Sequence, residues 1–177
     1  MVNFIMVFRE SYKYINFFIR MMIAMSLAIL ALLAWFVLIV FVLVPKGLTV
    51  TEMFFLYFLI EIITITLFTI LDVNFQWVSL TRKVEGSFAM YISRSIVIPL
   101  PILLAVCVLN SNLKAKWRSV LTALILIFLC LADRIYLWAD LLTYRRWNQF
   151  SSALMYGVFI LLTLWIGRWF IGLDKGE

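Results

Sequence analysis

IVIPLPILLAVCVL, residues Ile96–Leu109, is the stretch whose reading decides how this chain is folded. Its 14 residues are all apolar and carry two prolines, Pro99 and Pro101. The surrounding composition sets the solvent: 66% of the chain is hydrophobic, 14% is charged, and the mean hydropathy is +1.11. Such a chain lies mostly in a bilayer. A hydrocarbon core of ~30 Å needs ~20 helical residues, whereas runs of ~10–14 suit re-entrant or interfacial segments. Taken alone, Ile96–Leu109 is short for a crossing. Stretched to Ser95–Leu113, across Ser111 and two asparagines, it becomes long enough. A crossing gives five spans; a re-entrant turn gives four.

Working outward, the other apolar runs are longer. Span 1 is expected over Met21–Val44, 24 uninterrupted residues ending at Pro45-Lys46-Gly47. It follows a 20-residue leader and meets no small-residue cleavage site, so a retained span is expected rather than a removed signal. Ala24, Ala28 and Ala31 share one face of it, which lets a neighbouring helix approach closely. Span 2 runs from near Glu52 to Leu71, with Asp72 at its end and an interfacial continuation over Val73–Leu80. The spans lie near 53–72, 95–113, 120–142 and 154–171 in the bundle that begins at residue 21. In the leader, 1–20, Phe4, Phe8, Tyr12, Ile15 and Phe18 recur on one helical face and Arg9, Lys13, Asn16 and Arg20 on another. That pattern predicts an amphipathic helix lying in the headgroup plane. The fold class expected is therefore all-α: an integral membrane bundle of five helices, alternatively four plus a re-entrant segment, preceded by an interfacial helix.

The basic residues divide differently in the two arrangements. With five spans, Arg9, Lys13, Arg20, Arg82, Lys83, Arg94, Arg145 and Arg146 lie inside, and Lys46, Lys114, Lys116, Arg118, Arg168 and Lys175 outside. With four, Lys114, Lys116, Arg118, Arg168 and Lys175 move inside and Arg145 and Arg146 move out. The positive-inside rule prefers the second division. A re-entrant loop, however, must have its unpaired backbone satisfied by surrounding protein, which a four-helix bundle barely supplies. Five spans are the expectation on that ground.

Composition removes several kinds of chemistry. There is no histidine, the commonest metal ligand and proton shuttle near neutral pH. Cys107 and Cys130 lie in apolar runs, where cysteine acts as a small hydrophobe. There is no Gly-rich phosphate loop and no metal-ligand spacing, so no cofactor, metal or catalytic residue is expected. The net charge of +6 is scattered between spans, which suits anionic lipid headgroups rather than nucleic acid.

What remains is a set of ionisable residues in apolar runs: Glu61, Asp72, Asp133, Arg134 and Asp140. A charge at the centre of a membrane helix costs ~2.5–3.5 kcal/mol on insertion scales and usually faces other helices, water or a partner charge. Glu61 and Asp72 are eleven residues apart, about 20° from eclipsed on a helix. Asp133 and Asp140 share a face with Tyr136, and Arg134 points about 100° away. The simplest reading is polar glue, with two stripes facing each other and Arg134 neutralising a carboxylate. Parallel spans 2 and 4 would bring Arg134 to the depth of Asp72, and antiparallel ones to the depth of Glu61. A second reading is a proton or cation path centred on Glu61. A third is a lipid-modifying enzyme using Asp133, Asp140 and Arg145. Arg145 and Arg146, beside Tyr144, Trp147 and Phe150, together with Arg9, Lys13 and Arg20, are candidate lipid-headgroup contacts.

The turn Tyr144-x-x-Trp147-Asn148, followed by Ser151 and Ser152 before the last span, resembles the C-terminal helices of small multi-pass membrane proteins of unknown function from spore-forming Firmicutes. That resemblance implies a bacterial cytoplasmic membrane and no mechanism. The expected role is non-catalytic: a multi-pass membrane protein acting through helix contacts with a protein partner, a second copy of itself and membrane lipids.

Overall fold

A computed structural model describes residues 27–44, 46–82 and 84–174. The expected interfacial helix over 1–20, with Arg9, Lys13 and Arg20, lies outside the described residues, as do Ala24 and the start of the first span. Six helices and two short strands follow in order. They are α1 (Leu27–Leu43), α2 (Val50–Thr69), β1 (Val78–Leu80), α3 (Val84–Ile92), α4 (Pro99–Leu109), α5 (Ala115–Trp138), β2 (Leu142–Tyr144) and α6 (Gln149–Asp174). Four helical stretches are long and apolar enough to cross a membrane, and α1 is a shorter apolar helix. The chain is an all-α membrane bundle of four to five helices.

The Pro-Leu-Pro segment is not re-entrant. A π-helical turn, Ser93–Val97, joins α3 to α4, and Gly86–Leu109 forms one continuous apolar helix. Its 24 residues rise about 36 Å at ~1.5 Å per residue, enough for a ~30 Å core. The crossing begins nine residues before Ser95 and ends four before Leu113, because Ser93, Arg94 and Ser95 sit inside the helix rather than before it. Ser95 bonds α2 through both its hydroxyl and its carbonyl, and the Arg94 guanidinium lies over the Phe68 ring, so these residues sit within the span rather than end it.

This helix is the centre of the bundle. Within its crossing, 72% of residues are buried, against 22–39% in the other three crossings, and every residue from Pro99 to Val108 is buried. It contacts α2, α5 and α6. On its fourth side, α1 turns Leu30, Ala34 and Val37 inward, and Phe36 of α1 meets Phe128 of α5 at 6.2 Å between ring centroids. A helix that is apolar all round can face lipid or protein, because a lipid tail is as apolar as leucine. Here the α4 half faces protein.

The ends of the helices fix their directions. At one side, the α1–α2 loop lies against the α4–α5 loop: a Cβ on Gly47 would sit 3.2 Å from both the Asn110 carbonyl oxygen and the Ser111 Cα. Arg168 of α6 reaches the same corner, its Nε 3.5 Å from Asn110 Oδ1. At the other side, β1 after α2 pairs antiparallel with β2 after α5, in the register Val78↔Tyr144, Ser79↔Thr143 and Leu80↔Leu142. The C-terminal ends of α2 and α5 therefore meet, and the two helices run parallel, as the five-span expectation requires.

Local chemistry explains the boundaries. Thr49 and Glu52 form a reciprocal capping box, Thr49 N–H donating to Glu52 Oε2 at 2.7 Å and Glu52 N–H to Thr49 Oγ1 at 3.3 Å. That starts α2 at Val50. At the other end of the bundle, Asp140 has φ of 54°, Leu141 N–H bonds the Tyr136 carbonyl and Asp140 N–H bonds that of Leu137. This left-handed cap ends α5. The span read over Val120–Leu142 stops at Trp138, and Leu142 begins a strand. Three-residue strands are too short for their alternation to register in a sequence.

Candidate functional site

Two intramembrane carboxylates sit on opposite sides of the central helix, and their surroundings differ. The first site grows from Pro99. Proline has no N–H, so the carbonyl four residues earlier, on Ser95, loses its helical donor. Tyr57 of α2 supplies one, its hydroxyl donating to the Ser95 carbonyl at 2.8 Å. One turn further along α2, Glu61 Oε1 accepts from Ser95 Oγ at 2.8 Å. The same residue thus meets α2 twice, at positions four apart on one face. The helix here is widened, with Ile98 N–H bonding the Ser93 carbonyl at 2.9 Å, five residues back. Such π turns recur at functional sites.

This site is only half satisfied. Glu61 Oε2 is buried without a hydrogen-bond partner, as are Thr64 Oγ1 and the Nε and Nη2 of Arg94. The Arg94 guanidinium lies over the Phe68 ring, 4.9 Å from its centroid. Asp72, one turn beyond Phe68, is the carboxylate whose charge reaches Arg94, and its Oδ1 accepts from Leu80 N–H at 3.2 Å. Glu61, Arg94, Ser95, Tyr57 and Asp72 are all half-buried.

The second site is closed. Asp133, 3% exposed, projects from the buried face of α5 with Ala132 and Tyr136. Its Oδ1 accepts from Tyr156 of α6 at 2.8 Å and its Oδ2 from Tyr144 of β2 at 3.1 Å. The Tyr144 and Ser152 hydroxyls lie 2.9 Å apart, and Trp147 Nε1 donates to Ser152 Oγ at 2.9 Å. One carboxylate therefore ties α5, the ribbon and α6 together. Burial, and then the Asp133 charge, hold the Tyr144 phenol above its ordinary pKa. It stays a donor at neutral pH. Both carboxylate oxygens are thus engaged, and the side chain is enclosed.

The remaining expected residues are placed differently from the pattern read in sequence. Arg134 is exposed on α5 and does not neutralise Asp133, whose partners are phenols. The 100° step between successive helical residues turns it outward, where a long side chain can reach the headgroups. The buried cation near Asp72 is Arg94. Asp140 lies beyond α5, exposed, as a helix cap rather than a member of a buried stripe. Arg145 and Arg146 are exposed, and their backbone N–H groups both donate to the Trp77 carbonyl, at 2.9 and 3.2 Å. Trp77 in turn stacks on Phe75 at 4.8 Å and lies 5.9 Å from Trp147.

The sequence pattern does not single out Arg94, Ser95, Tyr57 or Tyr156 as members of a polar site, and it marks Ser152 only as part of a turn. Ser95 had a signal, since it stands four residues before a proline within an apolar run. The tyrosines had none beyond their helical phase. Among the described residues, no group of three or more His, Cys, Asp or Glu side chains comes together as a metal site would require. Comparison with protein-family models, curated proteins and solved structures finds no match to this chain. What the helices themselves define is a multi-pass membrane protein.

Proposed function

We propose that this protein is a non-catalytic subunit of a membrane assembly, acting through helix contacts with a protein partner or a second copy of itself. The observation that carries this reading is the orientation of α1. Its inward face is Leu30, Ala34 and Val37, while Ala28 and Ala31, on the small-residue face, are exposed. Small residues allow close backbone approach between membrane helices, and here no described residue covers that face. The bacterial cytoplasmic membrane is the proposed location, on the resemblance of the Tyr144–Ser152 turn. In a mild detergent extract the wild type should run as a complex, or crosslink to a neighbour through α1. Ala28→Leu with Ala31→Leu should abolish this while leaving the thermal stability of the chain unchanged. A wild type that is monomeric in the native membrane would overturn the reading.

A second reading, a small proton- or cation-coupled transporter, is favoured by the unpaired atoms of Glu61 and Arg94 around the π turn. It predicts that Glu61→Gln or Asp72→Asn abolishes ion flux into proteoliposomes. Unchanged flux in both variants would remove it.

A further inference from the structure

The geometry points to a binding site for one anionic phospholipid, with an acyl chain in the groove between α2 and α6 and its phosphate on Arg145 and Arg146. The groove consists of two overlapping cavities of about 400 and 480 Å³, sharing Ile63, Leu67, Trp147 and Met155. Its mouth is aromatic: Phe75, Trp77 and Trp147 form a row at the ribbon end of the bundle, where indoles mark the membrane–water boundary. Arg145 and Arg146 stand at this mouth by construction, since they hydrogen-bond the carbonyl of Trp77 and immediately precede Trp147.

Length chooses the occupant. Along α6 the lining runs from Ser151 to Leu162, about 16 Å at ~1.5 Å per residue. That is half of a ~30 Å hydrocarbon core, the depth of one leaflet. A partner helix would need a groove running the full thickness. An acyl chain needs one leaflet and a headgroup site at its end. Charge completes the argument. Among the described residues, Arg82, Arg134, Arg145 and Arg146 are exposed on or near this ledge, against Asp140 as the exposed acid. The guanidinium fork suits a phosphate, and phosphate is where such a lipid carries its charge.

The test uses the purified full chain in detergent with phosphatidylglycerol or phosphatidylcholine of identical acyl chains, and native mass spectrometry to count retained lipid. Each basic residue at a membrane surface contributes about fivefold to anionic-lipid binding, so the pair predicts a phosphatidylglycerol preference of about 25-fold. Arg145→Gln with Arg146→Gln should remove that preference and leave phosphatidylcholine retention unchanged. Met155→Trp, which fills the groove floor, should lower retention of both lipids. Val158→Phe, further along the wall, repeats this should Met155→Trp not fold. Absence of a preference in the wild type, or its survival in the double arginine variant, would overturn the site. Loss of the preference with retention insensitive to both groove-filling variants would overturn the acyl-chain placement.

Discussion

Asp133 and Glu61 are both carboxyl groups inside a membrane bundle, and the central helix separates two ways of treating one. Asp133 is the more deeply buried, and both of its oxygens accept a phenolic hydrogen. Glu61 is less buried, yet one of its oxygens is enclosed with no partner. Burial therefore does not identify the group with chemistry to spare. Among these two carboxylates, unused hydrogen-bonding capacity lies with Glu61, and Thr64 and Arg94 add theirs beside the turn that Pro99 disrupts.

The largest expected effect comes from breaking the closed node. Asp133→Ala leaves the Tyr144 and Tyr156 hydroxyls without their acceptor and should cost ~3 kcal/mol, read from thermal unfolding in detergent. A loss below ~1 kcal/mol would mean that the node is not a structural tie.

Next is the proline-dependent bond. Tyr57→Phe should cost ~1 kcal/mol, because the Ser95 carbonyl then has no donor. In a Pro99→Ala background the new N–H can serve that carbonyl, and the cost of Tyr57→Phe should fall to near zero. A double-mutant cycle measures the coupling. Equal costs in the two backgrounds would show that Pro99 does not create the need for Tyr57.

The smallest effect is expected at Glu61. Glu61→Gln keeps an oxygen for Ser95 Oγ and so should change stability by less than ~1 kcal/mol. A change as large as that of Asp133→Ala would erase the contrast between the sites and make Glu61 glue as well.

The hydropathy pattern carries the membrane class, the helices and the parallel course of α2 and α5 once five spans are chosen. It carries the central crossing poorly, because Ser93, Arg94 and Ser95 look like a boundary until the bundle supplies their surroundings. The two strands escape notice at three residues each. Glu61, Asp72 and Asp133 stand out in sequence as charges in apolar runs. Their partners Tyr57, Ser95 and Tyr156 do not, because they are ordinary residues made special by packing, and Tyr144 stands out only as part of a turn. Arg134 misleads for the same reason. Adjacency in sequence to Asp133 suggests a charge pair, whereas the 100° helical step turns Arg134 out to the exposed surface.

All of this depends on the central helix crossing the bilayer, which sets the depth of both carboxylates. The most direct measurement is labelling of Arg82→Cys and Lys116→Cys, separately, in a Cys107/Cys130-free background with a membrane-impermeant thiol reagent on intact cells. The two positions flank the central helix, Gly86–Leu109, and only one should be labelled from outside, the other becoming reactive after lysis. If both are labelled from outside, or both are protected until lysis, the central helix does not cross and the bundle is not built around it.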